Sequence, residues 1–230
     1  MRIWIFFAAE VIFLVFLYIK LAFPELYLSL IQENSIIEYL QVMSYFLASI
    51  IAFLTARIFF RKKINLLAAA YFILAFLLLF VSFEEVSWGQ FLFSISLPEF
   101  FIRNNAQGEL TIHNLYFLQS KLSFIYILVG IYGAFAWIIN FFFLSPKKTN
   151  PTRILNFIIP EWFLSPYFFS CFFIYFLFFF IHPGEDTFLL WRDQEIAELL
   201  LSLGFLFFCI TKYIIVKRLV LDPNVDEKIL

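Results

Sequence analysis

The chain has 230 residues, 63% of them hydrophobic and only 14% charged, with a net charge of −1. A soluble domain carries roughly 25% charged residues, and this much apolar side chain cannot be hidden inside a water-soluble fold, so lipid must be the outer solvent. The near-zero net charge leaves no basic surface for nucleic acid. The two cysteines, Cys171 and Cys209, lie in apolar runs without a CxxC spacing, which argues against a disulfide framework, zinc or thiol redox chemistry.

A membrane-crossing helix needs about 20 mainly apolar residues. Six stretches qualify, which predicts an all-α polytopic bundle forming a single integral membrane domain over residues 1–230. The first, 3–23, ends at Pro24. Glu10 interrupts it and no small-x-small site follows, so it reads as a retained helix rather than a cleaved signal. The second, 36–60, ends at Arg61-Lys62-Lys63, and the third, 64–83, runs into Glu84-Glu85. The connection 84–121 is long and rich in aromatics (Phe91, Phe93, Phe100, Phe101), which predicts an interfacial or re-entrant segment rather than a solvated loop. The fourth helix, 122–144, stops at a Pro- and Lys-containing linker. A second interfacial piece at 154–162 leads into the fifth, 163–182, which ends at Pro183-Gly184. The sixth, 189–216, opens on the polar turn Arg192-Asp193-Gln194-Glu195. Long unalternating runs exclude a β-barrel, and no internal repeat is visible.

The basic clusters Arg61-Lys62-Lys63, Lys147-Lys148-Arg153 and Lys217-Arg218 flank alternate helix ends. All three lie on one side only if both termini share it. The positive-inside rule makes that side cytoplasmic, most simply at a bacterial inner membrane. Most acidic residues then gather at the opposite face, together with His113 and His182.

Four distant segments meet at that face. They are Glu33 to Gln41, Glu84-Glu85 with Trp88 and Gln90, Glu109 with His113-Asn114, and His182 with Asp186, Glu195 and Glu198. Glu109 and His113 are four apart and would share one face of a helix; Glu195 and Glu198, three apart, would do likewise. Two crowded carboxyls do not both ionise easily, so such a group retains a proton or binds a cation. Glu84, Glu85, Glu109 and His113 are therefore the candidate acid–base residues. Glu85, Glu109, His113 and His182 are candidate ligands for a divalent metal ion such as zinc, manganese or iron. Trp88, Gln90, Asn114, Asp186, Glu195 and Glu198 are expected around them. The plain structural reading is that interfacial turns are polar anyway, Trp88 is a headgroup-level anchor, and Glu195 with Glu198 complements a helix dipole.

The run Glu84-Glu85-Val86-Ser87-Trp88-Gly89-Gln90, followed by Gln107-Gly108-Glu109 and His113-Asn114, resembles uncharacterised multi-pass membrane proteins of bacteria. That resemblance covers 84–114 and implies no activity. The order Glu84-Glu85, His113 and His182-x-x-x-Asp186 more distantly resembles the type II CAAX-processing proteases. There it implies that Glu84 or Glu85 activates water while His113 and His182 hold a metal or stabilise an oxyanion. The chain departs from that family at the arginine that should follow the glutamates, and in having Glu109 where a phenylalanine belongs. Di-iron Glu-x-x-His spacing, histidine-rich desaturase boxes and a Gly-x-Ser-x-Gly elbow do not occur.

Together these features predict a membrane-embedded enzyme that performs hydrolysis or group transfer on a lipid or lipid-linked substrate. The alternative is a proton- or cation-coupled transporter, or a structural membrane subunit, since boundary carboxylates also serve ion passage.

Overall fold

The computed structural model describes residues 2–32, 34–144, 150–181, 183–184 and 188–221. It is 84% helical. The helices are α1 (Arg2–Ala22), α2 (Pro24–Ile31), α3 (Ile36–Arg61), α4 (Asn65–Glu85), α5 (Gln90–Phe93), α6 (Glu99–Asn104), α7 (Tyr116–Ile139), α8 (Asn150–Ile158), α9 (Ser165–Phe180) and α10 (Gln194–Leu221). Six helical stretches are long and apolar enough to cross a membrane, as the sequence predicts. Their outer faces carry bare hydrocarbon, for example Trp4, Phe76 and Phe180. In water this would be untenable over so large an area, whereas in lipid it costs nothing.

Local chemistry sets the helix ends. Pro24 occupies the first turn of α2, where its missing N–H is not needed. At the end of α3, Lys63 adopts φ 60°. Its N–H reaches Phe60 O at 3.0 Å and Ile64 N–H reaches Phe59 O at 3.0 Å. This Schellman pattern satisfies the last carbonyls and turns the chain straight back along α4. Ala48, Ala52 and Ala56 of α3 are all fully buried, and across the α3–α4 seam Ser49 Oγ donates to Ala75 O at 2.8 Å. Small side chains let the two backbones approach closely, which is how helices gain contact where lipid offers no hydrophobic drive.

Helix packing runs in a row: α4 on α3, α3 on α10, α10 on α9, and α9 on α7, while α1 lies outside against α9 and α10. The α7–α9 contact depends on two glycines: a Cβ at Gly130 would lie 2.7 Å from Phe172, and one at Gly133 would lie 2.1 Å from Phe168. The ends of the row, α4 and α7, do not pack along each other. They are joined at one end by α8, whose last carbonyls accept hydrogen bonds from Tyr71 of α4 (Phe157 O, 2.6 Å) and Tyr132 of α7 (Ile158 O, 3.2 Å). Lys212 of α10 donates to Asn156 O, Ile159 O and Glu161 Oε1 at 2.6–2.8 Å, so this buried ammonium uses all three of its protons. At the other end, residues 86–115 bridge from α4 to α7.

Two expectations need correcting in this bridging segment. Helix α4 continues through Glu85 rather than stopping at 83, and α7 begins at Tyr116 rather than 122. The last residues of α4 reach the polar network described next, in which Glu84 takes part.

Candidate carboxylate–histidine site

Glu84 occupies the last turn of α4 and is buried. Its Oε2 accepts hydrogen bonds from the backbone N–H groups of Ile112 (2.7 Å) and His113 (2.9 Å), and lies 3.2 Å from His113 Nδ1. Its Oε1 accepts Trp88 Nε1–H at 2.5 Å. An acceptor on both oxygens meets all four groups, which suits a carboxylate. Trp88 itself stacks on Phe83. The turn that brings it there holds Ser87, Trp88 and Gly89 at φ 47°, 54° and 77°. Left-handed backbone at two non-glycine residues costs about 1–2 kcal/mol each, so the network must over-determine this turn.

The remaining polar residues of the segment knit it together. Gln90 Oε1 accepts Leu110 N–H at 2.6 Å. Ser87 Oγ donates to Glu109 Oε2 at 3.0 Å, and Asn114 Nδ2 reaches Gln107 Oε1 and Glu109 Oε2. Asn105 Oδ1 accepts the N–H groups of Gln107 and Glu109, while its Nδ2 donates to Thr111. A side chain that supplies acceptors to the N–H groups just ahead of it competes with helix formation. Residues 105–115 are accordingly non-helical, and Glu109 and His113 do not share a helix face as their spacing suggests. His113 is paired with Glu84 instead.

Glu85, one residue on from Glu84, meets different neighbours. It shares a cavity wall with Glu198 and Glu195 of α10, Glu38 of α3 and Glu84 of α4. Glu195 and Glu198 do share a face of α10, and both are buried rather than solvated. Gln41 of α3, fully buried, donates through Nε2 to Glu195 O (3.0 Å) and Glu195 Oε2 (3.2 Å). The Tyr175 hydroxyl donates to Glu198 Oε1, and Tyr126 stacks on Tyr175 with ring centroids 4.5 Å apart, beside the same carboxylate. Glu38 is tied at the mouth by Asn34 N–H, 2.5 Å from its Oε2.

Apart from Gln41, which stands behind Glu195, these groups line one cavity of about 480 Å³. Glu84, Glu85, Glu109, His113, Asn114, Glu195 and Glu198 all border it, as do Tyr126, Tyr175 and Trp191. The structure thus brings most of the sequence-derived candidates to one place. Trp88 and Gln90 stand behind the wall as supports, and His182 and Asp186 lie outside the described residues. Among the described residues no three His, Cys, Asp or Glu side chains are grouped to hold a metal ion. Glu109 is committed to Ser87 and Asn114, and His113 to Glu84, on different parts of the wall.

Sequence reasoning brings Gln41 to this face without giving it a role, and does not find Tyr126 and Tyr175 as site residues. The available signal is weak. A phenol or carboxamide within an apolar span must find a hydrogen-bond partner, but the sequence does not say which. A separate polar knot lies nearby, outside this cavity's wall. Asp193 accepts from Lys20, from Tyr27 (2.6 Å) and from Leu190 N–H (2.8 Å), fixing α1, α2 and the start of α10. Burial, with Asp193 adding to it, holds the Tyr27 phenol far above its ordinary range.

No known family model matches this chain, and comparison with characterised proteins and with solved structures finds nothing significantly similar.

Proposed function

We propose that this chain is a membrane-embedded enzyme that hydrolyses, or transfers a group on, a lipid or lipid-linked substrate. The observation that carries this reading is the Glu84–His113 pair opening on a cavity that five further carboxyl groups share. Glu84 Oε2 fixes the proton of His113 on Nδ1, which leaves Nε2 as the acceptor on a side chain still about one-third exposed. That is the geometry of an oriented general base. Glu85 and Glu198 are positioned to supply a proton to a leaving group. In this reading the site faces the non-cytoplasmic side and both termini are cytoplasmic, following the basic clusters at the other helix ends.

Lipid profiles of cells expressing the chain provide the test. Expression changes the abundance of one lipid class. His113→Ala and Glu84→Gln, present at equal levels in the membrane, abolish that change. An unchanged profile with either variant rules the reading out.

The crowding of Glu38, Glu85, Glu195 and Glu198 favours a second reading, in which the cavity loads a proton or cation for transport. Cation-coupled uptake into proteoliposomes that persists in His113→Ala would select it. Stoichiometric transition metal in the purified protein would instead support metal-assisted hydrolysis.

A further inference from the structure

The gap between α4 and α7 contains a second cavity, of about 200 Å³, lined by Tyr71 and Leu74 of α4, Val129 and Tyr132 of α7, and Phe168 and Phe205 behind. Its walls are almost wholly hydrocarbon. Its floor is α8, sealed by the tyrosine hydrogen bonds to Phe157 O and Ile158 O. On α7, Val129 lies three residues from Tyr126, which borders the carboxylate cavity. Residues three apart sit on one helix face, about 4.5 Å along the axis. On α9 and α10 the two linings are seven residues apart, Phe168 from Tyr175 and Phe205 from Glu198, or about 10 Å along the axis, so the polar and apolar cavities lie in series along a seam where the flanking helices do not pack. On either side of the seam the outer surface is bilayer-facing apolar side chain, such as Phe76 and Phe124.

We propose that this seam admits one membrane lipid sideways, with a single hydrocarbon chain between α4 and α7 and an amine-bearing headgroup in the carboxylate cavity. The inference rests on the lipid-substrate reading and names the class of lipid. The apolar half suits an occupant that arrives from the bilayer, because its walls are hydrocarbon and α8 closes its floor. The polar half is rich in carboxyl groups and poor in positive charge. Six glutamates border it: Glu38, Glu84, Glu85, Glu109, Glu195 and Glu198. Of the cationic side chains, Arg192 and the ring of His113 border it. A primary ammonium supplies charge and N–H donors together, and Tyr126, Tyr175 and Trp191 present aromatic surface to it. A phosphate-terminated or otherwise anionic head meets repulsion on the same wall.

The whole chain in nanodiscs of mixed phosphatidylethanolamine and phosphatidylglycerol, released into native mass spectrometry, reads this directly, with no turnover required. Phosphatidylethanolamine is expected to be retained at least tenfold over phosphatidylglycerol. Leu74→Trp or Val129→Trp, which fill the seam, remove the retained lipid, whereas Phe124→Trp on the exposed face does not. Should the filled variants fail to fold, the unmodified chain is photolabelled with phosphatidylethanolamine carrying a diazirine on its acyl chain. Labels on the Leu74 and Val129 peptides uphold the site. Retention indifferent to headgroup, or labels confined to the outer helix faces, overturn it. Retained lipid with no lipid turnover would sink the enzymatic reading while leaving this one standing.

Discussion

At the scale of single residues, Glu84 and Glu85 show how neighbours in sequence acquire opposite tasks. Adjacent helix positions point about 100° apart, so Glu84 turns to the 86–115 segment and Glu85 to the carboxylate cavity. Glu84→Gln replaces an acceptor oxygen with a donor against two backbone N–H groups. We expect a loss of about 1–3 kcal/mol, seen as a lower unfolding temperature in detergent and as faster proteolysis between Ala106 and Leu115. Glu85→Gln removes one of four crowded carboxyls and leaves that segment's hydrogen bonds intact, so stability should hold or rise while any cavity-dependent activity falls. Equal destabilisation by both would contradict this division. Tyr175 has a similarly specific role. Tyr175→Phe strips the donor from buried Glu198 at nearly constant volume, and should cost about 1–3 kcal/mol. Tyr126→Phe, which keeps the stack, should cost less.

At the scale of elements, the spanning helices are legible in the sequence because their cause is local. A run of about 20 apolar residues has one stable conformation in lipid. Breakers such as Pro24 and the Lys62-Lys63 corner mark the ends within one or two residues. The aromatic content of 91–102 is also readable as something other than a solvated loop, and its exposed Phe93, Phe100 and Ile102 agree. The polar segment 105–115 is not legible in the same way. Its i,i+4 spacing of Glu109 and His113 mimics a helix face, yet Asn105 captures the backbone first, a choice decided by side-chain hydrogen bonds that periodicity does not encode. The left-handed turn at 87–89 is likewise hidden, apart from its single glycine. There a Cβ on Gly89 would meet Phe93 at 2.9 Å, with φ at 77°. Gly89→Ala should therefore cost about 1–2 kcal/mol from the backbone alone, and should loosen Trp88 from Glu84 and Phe83. A red-shifted tryptophan emission relative to the parent chain, absent when Trp88 is already replaced by Phe, would report that loosening. An unshifted spectrum would mean the turn is not what holds the indole.

At the scale of the molecule, what matters is which ends of the bundle face which side, because the carboxylate cavity lies at one end and the Lys212–Glu161 knot at the other. Charge segregation argues for an orientation through the cost of moving lysine and arginine across the membrane, a cost that acidic residues hardly share. The structure makes this testable with little perturbation, since both native cysteines, Cys171 and Cys209, are fully buried. They should stay silent toward a membrane-impermeant maleimide, leaving a cysteine placed by design as the reporter. Ala106→Cys lies on the exposed part of the 86–115 segment, and Lys62→Cys on the exposed corner between α3 and α4. In sealed cells Ala106→Cys should label at once and Lys62→Cys only after permeabilisation. The reverse pattern would put the cavity in the cytoplasm and with it any substrate. The proposed lateral route would survive such a reversal, because a lipid can enter the α4–α7 seam from either leaflet, but its headgroup would then come from the cytoplasmic one. Labelling of both positions in sealed cells would instead mean that the six helices do not share one fixed orientation, and the sidedness inferred from the basic clusters would fail.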